Sequence, residues 1–265
     1  MTRRITILGC GSSGGVPRVS AAGWGACNPE NLKNRRRRCS ILVEEQGLAG
    51  VTTVLVDTSP DLREQLLSVD VGHLDAVFYT HEHADHTHGI DDLRPLVIDM
   101  QRRIPVFASR LTMDLLHQRF GYCFITPPGS SYPPILEDHI ITPGEMQAIG
   151  GLGGSVGILP LHLVHGDINS LGFRFDDAAY LPDVSSIPEE TLKLLQGLDL
   201  LIIDALRDRP HPTHLTVQEA LDYIAFLKPK RAVLTNLHTD LDYDALRARL
   251  PETIEPAFDG MVLSI

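Results

Sequence analysis

Thr80-His81-Glu82-His83-Ala84-Asp85-His86 places four metal-ligating side chains within six positions, directly after the apolar run Asp75-Ala76-Val77-Phe78-Tyr79. That run predicts a strand over Asp75 to Thr80. If the extended geometry continues past its end, His81 and His83 point to the same side and can converge on one ion. Asp85 and His86 then open a turn or helix and can meet a second. Without an ion, adjacent His and Asp at a strand end would crowd desolvated groups together with nothing to pair them. The mixture of imidazole and carboxylate, with no cysteine nearby, suits zinc, manganese or iron better than a thiolate-rich structural site. A zincin helix is excluded, because Asp85 stands where H-E-x-x-H needs its second histidine.

The rest of the chain frames this cluster. Its 265 residues are 43% hydrophobic and 22% charged, ordinary globular usage that predicts one folded domain over residues 1–265. The formal net charge of −11 argues against broad electrostatic capture of duplex nucleic acid or an anionic membrane. An anionic ligand therefore needs a local positive site. The 12 histidines, set against one tryptophan and 4 cysteines, point to a metal. Cys10, Cys27, Cys39 and Cys123 form no Cys-x-x-Cys pair, and the apolar stretch after Met1 breaks at Gly9, too early for a secretory segment. No run approaches the ~18 apolar residues of a membrane span. A cytoplasmic protein is the expectation, with a homodimer as one open form.

Strands are predicted at Arg4–Leu8, Ser40–Glu44, Thr52–Asp57, Asp75–Thr80, Val156–Val164, Leu171–Phe175, Leu200–Asp204, Ala232–Thr235 and Met261–Ile265. Helical patterns fall at Pro60–Leu67, Leu111–Phe120, Pro188–Leu195, Thr216–Leu227 and Tyr243–Leu250, where Pro or Thr opens the segment or Leu and Ala recur at three and four. Gly9–Cys39 and Pro127–Gly154 read as long loops, which in a compact domain are often functional.

T-H-x-H-x-D-H after a strand resembles the metallo-β-lactamase superfamily, and the likeness spans most of the chain. The resemblance implies a four-layer αββα sandwich with two divalent metal ions, zinc or manganese, at one edge. It also implies three further ligands downstream. In Leu161-His162-Leu163-Val164-His165-Gly166, His165 is favoured because the strand ends there, with His162 as its rival. Asp183, closing the short apolar strand Ala179–Asp183, matches the metal-bridging acid. In Thr235-Asn236-Leu237-His238 the related enzymes place histidine directly after Leu-Thr, where this chain has Asn236; His238 is assigned because i and i+2 share a face. One ion is thus expected on His81, His83 and His165, the other on Asp85, His86 and His238, with Asp183 shared. Asp57 and Asp204, each ending a strand, are expected to orient ligand imidazoles from behind.

Gly9-Cys10-Gly11-Ser12-Ser13-Gly14-Gly15-Val16-Pro17, Asp204 and His211-Pro212-Thr213-His214 resemble the branch holding tRNA 3′-processing endonucleases and phosphoribosyl cyclic phosphate phosphodiesterases. Phe258-Asp259-Gly260-Met261 looks like the latter. Gly9–Gly14 also satisfies G-x-G-x-x-G, but Pro17 stands where a dinucleotide-binding helix should start. The glycines are expected to bring backbone close to the metal edge or to turn tightly. With only Cys27 in the following segment, an extra structural zinc is not expected.

The implied chemistry is metal-assisted hydrolysis of a small nucleotide-like or cyclic ribose phosphodiester, with His214 stabilising the phosphate or protonating the leaving oxygen. Two dications less Asp85, Asp183 and a hydroxide leave about +1, complementary to a diester monoanion. Alternatives are a carboxyl-ester or lactone hydrolase on the same ions and a nucleotide-binding metal protein without turnover. Arg35–Arg38 is read either as a solvated run or as a contact for a phosphate substrate.

Overall fold

A computed structural model describes residues 2–265, so Met1 of the N-terminal reading lies outside the described residues. The chain lays down β1 (Thr2–Gly9), β2 (Ser40–Gln46), β3 (Val51–Val56), β4 (Ala76–Phe78), β5 (Ile104–Ala108) and β6 (Leu136–Ile140) as one sheet in that order. It then builds a second from β7 (Gln147–Gly151), β8 (Gly154–His165), β9 (Ile168–Phe175), β10 (Ala178–Leu181), β11 (Leu200–Asp204), β12 (Arg231–Thr235) and β13 (Ile254–Pro256). The last strand, β14 (Val262–Ser264), returns to the first sheet beside β1.

Period-two alternation explains the layering, because both faces of the central strands are apolar. Ile5, Ile7, Ile41, Val43, Val54 and Val56 point into the layer between the sheets, where Phe78 stacks on Phe107 and meets Phe173 of the other sheet edge-on. Their neighbours Leu42, Leu55 and Val77 face outward onto α1 (Leu62–Leu67), α3 (Arg94–Met100) and α4 (Arg110–Phe120), the short α2 (Ala84–Thr87) lying between the first two in sequence. On the far side Leu161, Leu163, Leu201 and Ile203 pack against the region of α5 (Glu189–Leu194), α6 (Val217–Leu227) and α7 (Tyr243–Arg247). The result is the expected αββα sandwich. Thr216 caps α6 through a reciprocal box with Glu219, a device worth about 1 kcal/mol.

Pro127–Gly154, expected as a loop, contains β6 and β7. Both are edge strands, and the exposed Glu137, Asp138 and paired glycines of these segments hide the two-sided apolar signature of a central strand. Among the described residues no helix is long and apolar enough to cross a membrane.

Parallel pairing positions the site. β3, β4 and β5 run parallel, as do β10, β11 and β12, so their C-terminal ends share an edge, the usual place for ligand chemistry in such sheets. Asp57, His81, Asp183, Asp204 and Asn236 sit at or just past those ends.

Candidate metal centre

Three interlocking groups of ligand atoms form at this edge: His81 with His83 and His165, His81 with His86 and Asp183, and His165 with Asp183 and His214. His81 Nε2 lies 3.0 Å from His83 Nδ1. His86 Nε2 lies 3.0 Å from Asp183 Oδ2 and 3.5 Å from Asp85 Oδ2.

The far sides of these imidazoles are held from behind. Asp57 receives His86 Nδ1 at 2.7 Å, and its carboxylate also accepts the Thr80 backbone N–H and hydroxyl, each at 2.8 Å. With its own proton given to Asp57, Thr80 Oγ1 is free to accept from His81 Nδ1, 3.0 Å away. Thus Asp57 orients His86 directly and His81 through Thr80. His165 Nδ1 faces the Thr213 carbonyl at 2.7 Å. A carbonyl only accepts, so Nδ1 carries the proton and Nε2 is left bare toward the centre. Asp204 takes His214 Nδ1 at 2.8 Å and the Val184 N–H at 3.2 Å. It serves His214, not one of the expected ligands.

Charge follows the same geometry. Burial opposes protonation of His86, but Asp183, Asp57 and Asp85 outweigh it and hold its pKa well above the ordinary value. For His81 burial wins, with His86 adding to it, and the ring is pushed well below the ordinary value. Burial also opposes charge on His214, yet Asp204 lifts its pKa to about 9. The donor set fits divalent cations: His165 Nε2 faces the centre bare, His81 Nε2 and His83 Nδ1 face each other at 3.0 Å, and the Asp183 carboxylate converges on the same edge, where a bound cation would take the place of the proton that His86 now shares with Asp183.

The edge brings together His81, His83, Asp85, His86, His165, Asp183 and His214, with Asp57 and Asp204 behind. It does not bring in His238. That ring turns its Nδ1 to Thr239 Oγ1, the Asp240 N–H and Asp240 Oδ1, at 3.3, 3.2 and 3.2 Å. The i/i+2 argument fails because the strand stops at Thr235 and Asn236 takes a left-handed conformation, φ 60°, which ends the alternation of faces. Asn236 occupies the place beside the acid: its Nδ2 is 3.3 Å from Asp183 Oδ1 and 3.1 Å from the Pro182 carbonyl. His162 bonds Asn169 at 3.0 Å, away from the cluster. Sequence reasoning also passed over Thr80 and the Thr213 carbonyl; the first was legible as the hydroxyl opening the motif, the second carries no side-chain signal.

Three of the four arginines of Arg35–Arg38 are tied into the protein rather than solvated, and Arg35 is exposed. Arg36 is buried, Arg37 pairs with Asp259 and Arg38 with Asp61 at 2.9 and 3.0 Å, and Arg35 lies over the Trp24 ring. The glycine loop serves this run too: a Cβ on Gly9 would meet the Arg38 carbonyl at 2.0 Å, and one on Gly11 the Arg36 carbonyl at 2.9 Å. All four cysteines are free and buried.

A family model described as a beta-lactamase superfamily domain matches residues 52–236. The chain is 35% identical over 263 residues to an octanoyltransferase of Porphyromonas gingivalis, covering 97% of this chain and 51% of that protein, so it spans about half the length of this relative. Among solved structures, a new diphosphatase from the PhnP family is 36% identical, with a TM-score of 0.89 over 100% of this chain and 98% of that one. Human tRNase Z, short form, shares the fold at 19% identity and a TM-score of 0.65, covering 99% of each chain. The chain therefore belongs to the β-lactamase superfamily and has the metallo-β-lactamase fold.

Proposed function

We propose that the protein is a dinuclear metal-dependent phosphodiesterase acting on a small nucleotide-like or cyclic ribose phosphate diester. The observation that carries this reading is the convergence of His81, His83, His86 and His165 on the buried Asp183 carboxylate, with His81 Nε2 and His83 Nδ1 facing each other at 3.0 Å, an arrangement that two cations would satisfy. Bound divalent ions supply Lewis acidity and a nucleophilic water near neutral pH. His81, His83 and His165 would hold one, Asp85 and His86 the other, with Asp183 between them.

The chain's own residues supply the rest. His214, kept protonated by Asp204, holds a proton at the edge of the cluster where a leaving oxygen can take it. Arg18 and Arg207 add positive charge near His238, whose pKa burial and these arginines together lower. In an acidic protein this local excess favours an anion. Beside His83, a hollow lined by Glu82, Ala84, His88, Arg119 and Phe120 offers a cation and an aromatic face to the rest of such a substrate. The likeness to a diphosphatase of the PhnP family at 36% identity supports phosphorus rather than carbon as the electrophile.

Rates on bis(p-nitrophenyl) phosphate, a cyclic nucleotide panel and a lactone panel, measured with metal-loaded protein, test the reading. Phosphodiester turnover should dominate; faster lactone turnover would replace it with carboxyl-ester chemistry, and tight nucleotide binding without product would make the protein a sensor. His214→Ala is expected to lower kcat on the order of 10²- to 10³-fold with little change in KM, checked by steady-state kinetics. Asp57→Asn should weaken metal retention about 10- to 100-fold, because His86 and His81 lose their orienting acceptor; metal content after dialysis against a weak chelator reports it.

A further inference from the structure

A second cleft, of about 370 Å³, opens at the same sheet edge. The buried Thr80, Ser170 and Leu171 form its floor, and the same residues support the metal centre. Thr80 Oγ1 lies 3.0 Å from His81 Nδ1, the Leu171 N–H donates to the Thr80 carbonyl at 2.9 Å, and the Ser170 hydroxyl donates to the Asp183 carbonyl at 2.7 Å. A group seated in the cleft is thus one residue removed from His81 and Asp183. Leu111, near the start of α4, and Ile140, at the end of β6, also line it, and at 58% and 39% exposure they are apolar side chains left without cover by the described residues. Apolar walls beside a polar edge suit a flat ring.

The rim differs from the walls. His162 Nε2 lies 3.0 Å from Asn169 Oδ1. An amide oxygen only accepts, so the ring nitrogen carries the proton and the N–H groups of the Asn169 amide are left for a ligand. Arg110 pairs with Asp114 at 3.8 Å, with both side chains largely exposed, so its guanidinium is loosely held. The amide and the cation at the rim are therefore donors.

Resting on the phosphodiesterase reading above, we infer that this cleft is a base-recognition subsite that takes the purine of a nucleotide substrate and prefers guanine to adenine, with the ring between Leu111 and Ile140 and its edge toward Asn169 and Arg110. Guanine presents two adjacent acceptors, O6 and N7, to such donors, whereas adenine puts an amino donor where O6 would be. An aliphatic chain in the same slot would leave the donors unpaired.

The test measures kcat/KM of the metal-loaded full chain on guanosine and adenosine 2′,3′-cyclic phosphates and on glycerol 1,2-cyclic phosphate, which has no base. Wild type should favour guanosine over adenosine on the order of 10-fold, and both over the glycerol diester. Asn169→Leu and Arg110→Ala should each bring the two purines to within about twofold of one another, through KM rather than kcat. Leu111→Ala should weaken both purines relative to the glycerol diester. The wild-type preferences alone keep the inference testable if a variant misfolds. Equal turnover of all three diesters by wild type, or variants that slow all three in proportion, would overturn the subsite and leave the phosphodiesterase reading standing. No turnover of any diester would overturn that reading, and the inference with it.

Discussion

Asp183→Asn is expected to cut phosphodiester hydrolysis on the order of 10³-fold while the protein stays folded. Asp183 is the one carboxylate in the three ligand groups at the sheet edge and belongs to two of them, as His81 and His165 also do, and its Oδ2 is buried 3.0 Å from His86 Nε2. Asparagine keeps the shape but removes the negative charge and puts a donor where an acceptor is required. Burial opposes charge on Asp183, yet His86 and His81 hold its pKa well below the usual carboxylate range, so it enters the site ionised. Kinetics on bis(p-nitrophenyl) phosphate, with circular dichroism to confirm folding, check the outcome. Hydrolysis within a few-fold of wild type would remove Asp183 from the centre.

The second large effect is on stability. Arg36→Ala should destabilise the protein by about 3–5 kcal/mol, lowering Tm by roughly 10 °C at the ~2–4 °C per kcal/mol of a chain near this size. The Arg36 guanidinium is buried and donates to the Leu241 and His238 carbonyls at 2.7 and 3.2 Å and to Asn34 Oδ1 at 3.2 Å. Truncation leaves these acceptors dry and opens a cavity between the glycine loop and the segment following Asn236. Thermal melting monitored by circular dichroism measures it. A Tm unchanged to within a degree or two would return Arg36 to the surface role that an arginine run usually has.

The contrast between His81 and His238 shows what sequence can and cannot carry. The clustering of His81, His83, Asp85 and His86 was legible because local geometry at one strand end brings them together, and that of Asp57 because a strand-terminal acid can hold a neighbouring imidazole from behind. His238 was misplaced because its direction depends on a single left-handed residue, Asn236, which resets the face that side chains adopt. Arg35–Arg38 could be read only as a solvated run or as a phosphate contact for a similar reason. Its partners Asp259, Asp61, Leu241 and Trp24 lie elsewhere in the chain, and no local pattern announces them. The edge strands β6 and β7 escaped because only one of their sides is paired. The sandwich itself was legible from the alternation of strands and helices together with the histidine motif.

Anomalous diffraction from crystals equilibrated with zinc and manganese, recorded at both absorption edges, tests the two-ion centre most directly. The account predicts one peak among His81, His83 and His165 and another beside Asp85 and His86, with Asp183 contacting both. Absence of either peak, with the imidazoles turned away from one another, would contradict it.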